Sequence, residues 1–175
     1  MFHKILVAVD RSKDGEKVLD AAIALAKATE ANLMLLHVLS SEEEGCPQMP
    51  TMTAMEYCLV DNKIFEDYQQ RWQTYEKQGL ELLRSYTDKA TAAGVNAEFN
   101  QHSGNAGRAI CAMAQTWETD LIVIGRRGLS GWNELILGSV SNYVLHHARC
   151  SVFTVQGQAQ SSANVSHDKQ AAMAS

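Results

Sequence analysis

A chain of 175 residues, 46% hydrophobic and 20% charged, is long enough to bury one substantial core but short for two domains of about 100–150 residues each. Lys and Arg total 15 against 20 Asp and Glu, a formal net charge of -5, which argues against nucleic acid as a main partner because no broad basic surface is available to displace phosphate counterions. The apolar run after Met1 falls far short of the roughly 20 residues that span a bilayer and lacks a signal-peptide cleavage pattern; a cytoplasmic protein with no membrane partner is expected.

In chain order, "KILVAVD" (4–10) is apolar and β-branched at intervals and ends in Asp10, the pattern of a buried strand that opens into a loop. From Lys13 to Ala28 the period changes: Val18, Ala21, Ala22, Leu25 and Ala26 recur at helical spacing. "NLMLLHVL" (32–39) is a second strand, and a strand-helix-strand unit of this kind implies parallel pairing. The stretch 40–58 is polar, acidic and broken by Pro47 and Pro50, which predicts an irregular insertion. A long helix is expected over 62–93, with Ile64, Phe65, Tyr68, Trp72, Tyr75, Leu80, Leu82 and Leu83 forming its pattern and Gly94 ending it.

The third strand, 95–102, is more polar and suits a sheet edge. A helix follows within 103–120, with Ile110, Met113, Ala114 and Trp117 on one face, then a buried strand at 121–125. Another helix at 139–149 and a last strand at 151–156 complete the pattern. The segment 157–175 has almost no large apolar residue and is expected to be disordered. One α/β domain over 1–156, with an insertion at about 40–60, is therefore predicted as a doubly wound sandwich. Such sheets bind ligands beyond the carboxyl ends of their strands, where Asp10 and Gly125 fall.

"GRRGLSGWNELILGS" (125–139) follows the fourth strand directly. Its glycines admit a ligand close to the backbone. The step Gly138-Ser139-Val140-Ser141 opens a helix whose unpaired N–H groups and dipole attract anions. The spacing is neither the Walker A loop nor the GxGxxG dinucleotide loop.

With "KILVAVDRS", "LLHVL" and the run G-x2-G-x9-G-S at Gly125, Gly128, Gly138 and Ser139, the chain resembles the ATP-binding branch of the universal stress protein family over about residues 1–156. The resemblance implies a five-stranded parallel sheet of order 3-2-1-4-5 with four helices, Rossmann-like and akin to the adenine nucleotide alpha hydrolases. It implies a nucleotide site in which Asp10 meets the ribose or adenine side, with Ala8 just before it, and Val38 meets adenine through its backbone. Ile124, Gly125 and Gly128 line the phosphate loop, and Gly138, Ser139, Val140 and Ser141 hold phosphates. Arg126 and Arg127 either reach the triphosphate or stay solvated. ATP with Mg2+ is the implied ligand, with no metal held by protein side chains alone and no catalytic residue assigned. A homodimer through the last strand and an unidentified protein partner are also implied, with a role as a nucleotide-dependent stress regulator. The alternatives are a slow ATP hydrolase of the same fold, or a sensor of AMP or a cyclic adenine nucleotide. Two residues depart from the family's habit: Arg11, where glycine is frequent and where a long cation either crowds or pairs the phosphates, and Ser151, where proline is common.

Cys46, Cys58, Cys111 and Cys150 are scattered without CxxC spacing, so reduced, packed thiols are expected. His146 and His147 lack partners at metal-ligand spacing and read as solvated or capping residues, and His37 reads as a packed strand histidine. Met49, Met52 and Met55 fall in an acidic stretch that reads as a solvated loop, with an adaptable partner surface as the other reading. Tyr68, Trp72 and Tyr75 at helical spacing read as a core or subunit face.

Overall fold

The computed structural model describes residues 1–12, 14–49, 63–126 and 138–156. Five strands, β1 (Lys4–Val9), β2 (Asn32–Leu39), β3 (Ala97–Ser103), β4 (Leu121–Arg126) and β5 (Ser151–Gln156), form one parallel sheet of order β3-β2-β1-β4-β5. Four helices among the described residues connect them: α1 (Gly15–Thr29), α2 (Lys63–Ala92), α3 (Ala106–Thr116) and α4 (Ser139–His147). The architecture is the doubly wound one expected.

The central strands are continuous apolar runs because both of their faces are covered. Ile5, Val7, Leu33, Leu35 and Val123 point to one side and pack with Val18, Leu19 and Ala22 of α1 and Leu83 and Ala90 of α2. The alternate residues Leu6, Met34, Leu36, Val38, Ile122 and Ile124 pack on the other side against Ile110 and Ala114 of α3 and Val144 of α4. Two helices per face, with β1 between strands that continue in opposite directions, put the switch in winding between β1 and β4.

The two edge strands carry the more polar sequences. β3 starts and ends slightly later than the pattern suggested, and α3 is correspondingly shorter, because Asn105 caps it by accepting the Arg108 N–H at 3.0 Å. α1 ends at Glu30, held at φ 55. α2 differs more from expectation. Its 30 residues span about 45 Å, whereas the eight of β2 span about 27 Å. Its first turns therefore run past the carboxyl edge of the sheet, and Ile64 and Phe65 are 41% and 43% exposed. The buried stripe starts only at Tyr75 and continues through Gly79, Leu83 and Ala90.

Candidate functional site

The strand pairings define where the sheet opens. β1 pairs with β4 only as far as Ala8 and Ile124, while β4 stays paired with β5 through Arg126 and Gln156. β1 pairs with β2 as far as Val9 and His37, while β2 stays paired with β3 through Leu39 and Ser103. β1 thus leaves β4 beyond Ala8 and β2 beyond Val9, and Asp10, Val38 and Gly125 lie one residue or so past its last partners. This is the crevice that a doubly wound sheet presents at its switch point.

Asp10 is fixed by its own turn: its Oδ1 accepts the Ser12 N–H at 3.2 Å and the Ser12 hydroxyl at 2.5 Å. Val38 is buried with the α3/α4 face of the sheet. Gly125 has a packing reason that its loop position did not suggest, since a Cβ there would stand 3.1 Å from Val18 Cγ2 of α1.

At the start of α4, the two hydroxyls that look equivalent in the sequence have separate duties. Ser141 is buried and turns its Oγ–H onto the Gly138 carbonyl at 3.1 Å. Ser139 is exposed and donates its Oγ–H to Glu42 Oε2 at 2.8 Å. The N–H groups of Ser139, Val140 and Ser141 belong to the first turn, which lacks intrahelical acceptors. Arg127 and Gly128 lie outside the described residues, as do Met52, Met55 and Cys58.

Sequence reasoning missed a polar cluster under the crevice. His37 is packed in β2 as expected, with 0% exposure, but it is also bonded at both ring nitrogens. Gln101 Nε2 lies 3.2 Å from His37 Nδ1 and 3.2 Å from the Glu76 carbonyl. The carbonyl only accepts, so the Gln101 amide group donates to both, and Nδ1 is an acceptor. The ring proton then sits on Nε2 and is donated to Glu43, whose two oxygens are 3.1 and 3.0 Å away. Glu43, 8% exposed, also accepts the Arg11 N–H at 3.0 Å and the Tyr75 hydroxyl in a very short bond. The Arg11 guanidinium lies 5.4 Å from the Tyr75 ring centre. Residues 40–46 are thus anchored rather than solvated at their base. The one signal in the sequence was a histidine at an inward position between Leu35 and Leu39, which needs partners wherever it is buried.

Burial pushes the Glu43 carboxyl up, but the hydrogen bonds from His37, Tyr75 and the Arg11 amide outweigh it and hold the group below the usual carboxylate range. Burial, then the hydrogen bond to Glu43 and its charge, drive the Tyr75 hydroxyl far above its usual range, so it stays a donor. A depressed carboxylate stabilises the fold fully above its unfolded pKa, and the stabilisation is lost as pH falls through the folded value. The melting-temperature gap between wild type and Glu43→Gln is therefore expected to be flat at neutral pH and to close only as pH falls below the ordinary carboxylate range of about 4. A gap that stays open throughout would show that the Glu43 charge is not what matters.

The family model described as "Universal stress protein family" matches residues 1–156. Among curated relatives, Universal stress protein Sll1388 of Synechocystis sp. is 37% identical over 155 residues, covering 89% of this chain and 98% of that protein. Universal stress protein YxiE of Bacillus subtilis is 36% identical over 156 residues, covering 89% and 100%. Among solved structures, the protein MJ0577 superposes with a TM-score of 0.68 at 19% identity, covering 90% of this chain and 98% of that one. A universal stress protein family protein from Arabidopsis thaliana with AMP bound gives 0.63 at 23%, covering 90% and 93%. A universal stress protein in complex with cAMP gives 0.58 at 24%, covering 89% and 97%. With a family match over nearly all of the paired strands and helices and relatives above one-third identity along their full lengths, the chain belongs to the universal stress protein family.

Proposed function

We propose that this chain binds an adenine nucleotide in the crevice at the carboxyl ends of β1, β2 and β4, and that occupancy serves as a signal in a stress response. The observation that carries the reading is the parting of β1 from both neighbours, from β4 after Ala8 and from β2 after Val9, on the side of the sheet where a nucleotide would enter. Solved structures of the same fold that carry AMP and cAMP support it. In this reading Asp10 and Val38 take the ribose and adenine, and Ala8, Ile124 and Gly125 form the floor. The N–H groups at Ser139 and Val140 and the Ser139 hydroxyl take phosphate, Gly138 leads the backbone into that turn, and Ser141 shapes it from inside. Arg127 and Gly128 join the phosphate side on the strength of the family resemblance.

ATP with magnesium is the ligand the resemblance implies. Magnesium prefers phosphate oxygens, water and one or two carboxylates to an all-protein cage. Among the described residues no group of three or more His, Cys, Asp or Glu could hold a metal ion, so the ion fits this crevice as a companion of the triphosphate, whose charge it would reduce. The remaining elements of the proposal are a cytoplasmic site of action, a single domain over 1–156 with an insertion at about 40–60, and a homodimer paired through the edge of β5. No described helix is long and apolar enough to cross a membrane.

Calorimetric titration with ATP, AMP and cAMP, with and without magnesium, tests the reading. Micromolar binding of at least one is expected, weakened about tenfold in Ser139→Ala by loss of a hydrogen bond to a charged oxygen. Absence of binding by all three in the folded wild type would overturn it.

A further inference from the structure

Arg11 follows Asp10 directly, and both of its described contacts run to the far side of the β1–α1 turn. Its guanidinium lies 5.4 Å from the centre of the Tyr75 ring on α2, with Nη1 3.7 Å from where a Cβ on Gly45 would stand. Its backbone N–H donates to Glu43 Oε1 at 3.0 Å, across 32 residues of sequence. That N–H belongs to the same planar peptide as the Asp10 carbonyl, so the grip of Glu43 on one sets the orientation of the other. Each end of this bond is itself fixed. The Glu43 N–H donates to the Ser40 carbonyl at 3.0 Å and the Glu43 carbonyl accepts the Cys46 N–H at 3.2 Å. On the other side, Asp10 Oδ1 accepts the Ser12 N–H, and the Ser12 carbonyl accepts the Gly15 N–H at 3.1 Å.

Resting on the nucleotide reading above, we infer that Arg11 is a positioning residue and not a phosphate ligand. The Asp10–Arg11 peptide, held by Glu43, ties the Asp10 turn to residues 40–46, so occupancy at Asp10 and order at 40–46 form one linked equilibrium. A ligand that fixes Asp10 fixes the peptide plane and keeps the donor in front of Glu43. Opening of residues 40–46 withdraws the acceptor and releases the peptide. The two effects are reciprocal and equal in free energy. Because the link runs through Asp10, which the reading sets against ribose or adenine, it acts on adenosine as it does on AMP.

The test is hydrogen exchange over residues 40–46 with and without saturating AMP or adenosine, together with calorimetric affinities for both. In wild type, either ligand is expected to slow exchange there about fivefold. Glu43→Gln offers one acceptor oxygen to three donors; the slowing should fall below about twofold, and both affinities should drop together by about fivefold. Tyr75→Phe takes a different donor from the same carboxylate and leaves the Arg11 N–H on it, so the slowing should persist. Arg11→Ala keeps the N–H and removes the cation, and should change the two affinities by the same factor. Ligand binding to wild type with no change in exchange at 40–46 would overturn the inference without any variant. So would equal losses in Tyr75→Phe and Glu43→Gln, which would mean general loosening of the cage. An Arg11→Ala variant that loses AMP but keeps adenosine would make Arg11 a phosphate ligand after all. If wild type binds no adenine compound, the nucleotide reading fails and this inference falls with it, whereas binding without protection defeats this inference alone.

Discussion

Glu43→Ala is expected to cost the fold about 3–5 kcal/mol, lowering the melting temperature by about 10 °C. The substitution leaves the His37 Nε2–H, the Tyr75 hydroxyl and the Arg11 N–H without their shared acceptor, and two of these belong to side chains only 0% and 2% exposed. The loss is that of stranded donors, not of a surface ion pair, which would be worth under about 1 kcal/mol. Urea unfolding of Glu43→Ala, Tyr75→Phe and the double variant measures it. Tyr75→Phe alone should cost about 1–2 kcal/mol, and less once Glu43 is gone, because the two share one bond. Strict additivity, or a Glu43→Ala cost under about 0.5 kcal/mol, would mean that water replaces the carboxylate freely. Amide exchange should accelerate over 40–46 in Glu43→Ala, since the anchored turn is the part released.

Gly15→Val is expected to weaken adenine-nucleotide binding by at least about tenfold while costing about 1–3 kcal/mol of stability. Gly15 opens α1, and a Cβ on it would lie 2.7 Å from the Asp10 carbonyl oxygen and 3.2 Å from the Tyr86 hydroxyl. Tyr86 can swing aside, but the carbonyl moves only if the turn that carries Asp10 moves with it. The Gly15 N–H also bonds the Ser12 carbonyl at 3.1 Å, so strain at Gly15 passes directly into that turn. Leu19→Ala in the same helix is the control. Leu19 is fully buried in the α1/α2 core and has no part in the Asp10 turn. It should cost about 2–5 kcal/mol and leave affinity unchanged in the folded protein. Equal affinity losses in the two variants would assign the effect to general loosening instead of the position of Asp10.

The family and the sheet were legible in the chain because both rest on local pattern. "KILVAVD", "NLMLLHVL" and "LIVIG" are apolar on successive residues, which a strand covered on both faces requires, and helical periods between them allow little besides a wound parallel sheet. The polar third strand likewise announced an edge. The glycine-rich stretch after β4 marked the switch-point side of the sheet, although a Cβ at Gly125 would also press on Val18. The long helix α2 was legible in extent but not in depth: its apolar residues begin at Ile64, and only the length of the sheet beneath decides that burial begins at Tyr75.

Three consecutive glutamates show where local pattern stops. Glu42, Glu43 and Glu44 are chemically identical and read together as a solvated acidic run. In the folded chain Glu42 reaches Ser139, Glu43 enters the cage of His37 and Tyr75, and Glu44 stays exposed. Ser139 and Ser141 divide in the same way, one outward to Glu42 and one inward to the Gly138 carbonyl. The partners that separate them lie 32 and 97 residues away. Periodicity and propensity register which face of an element is apolar. The environment of a single polar group depends on which distant donor the folded sheet brings within about 3 Å, and only the tertiary structure decides that.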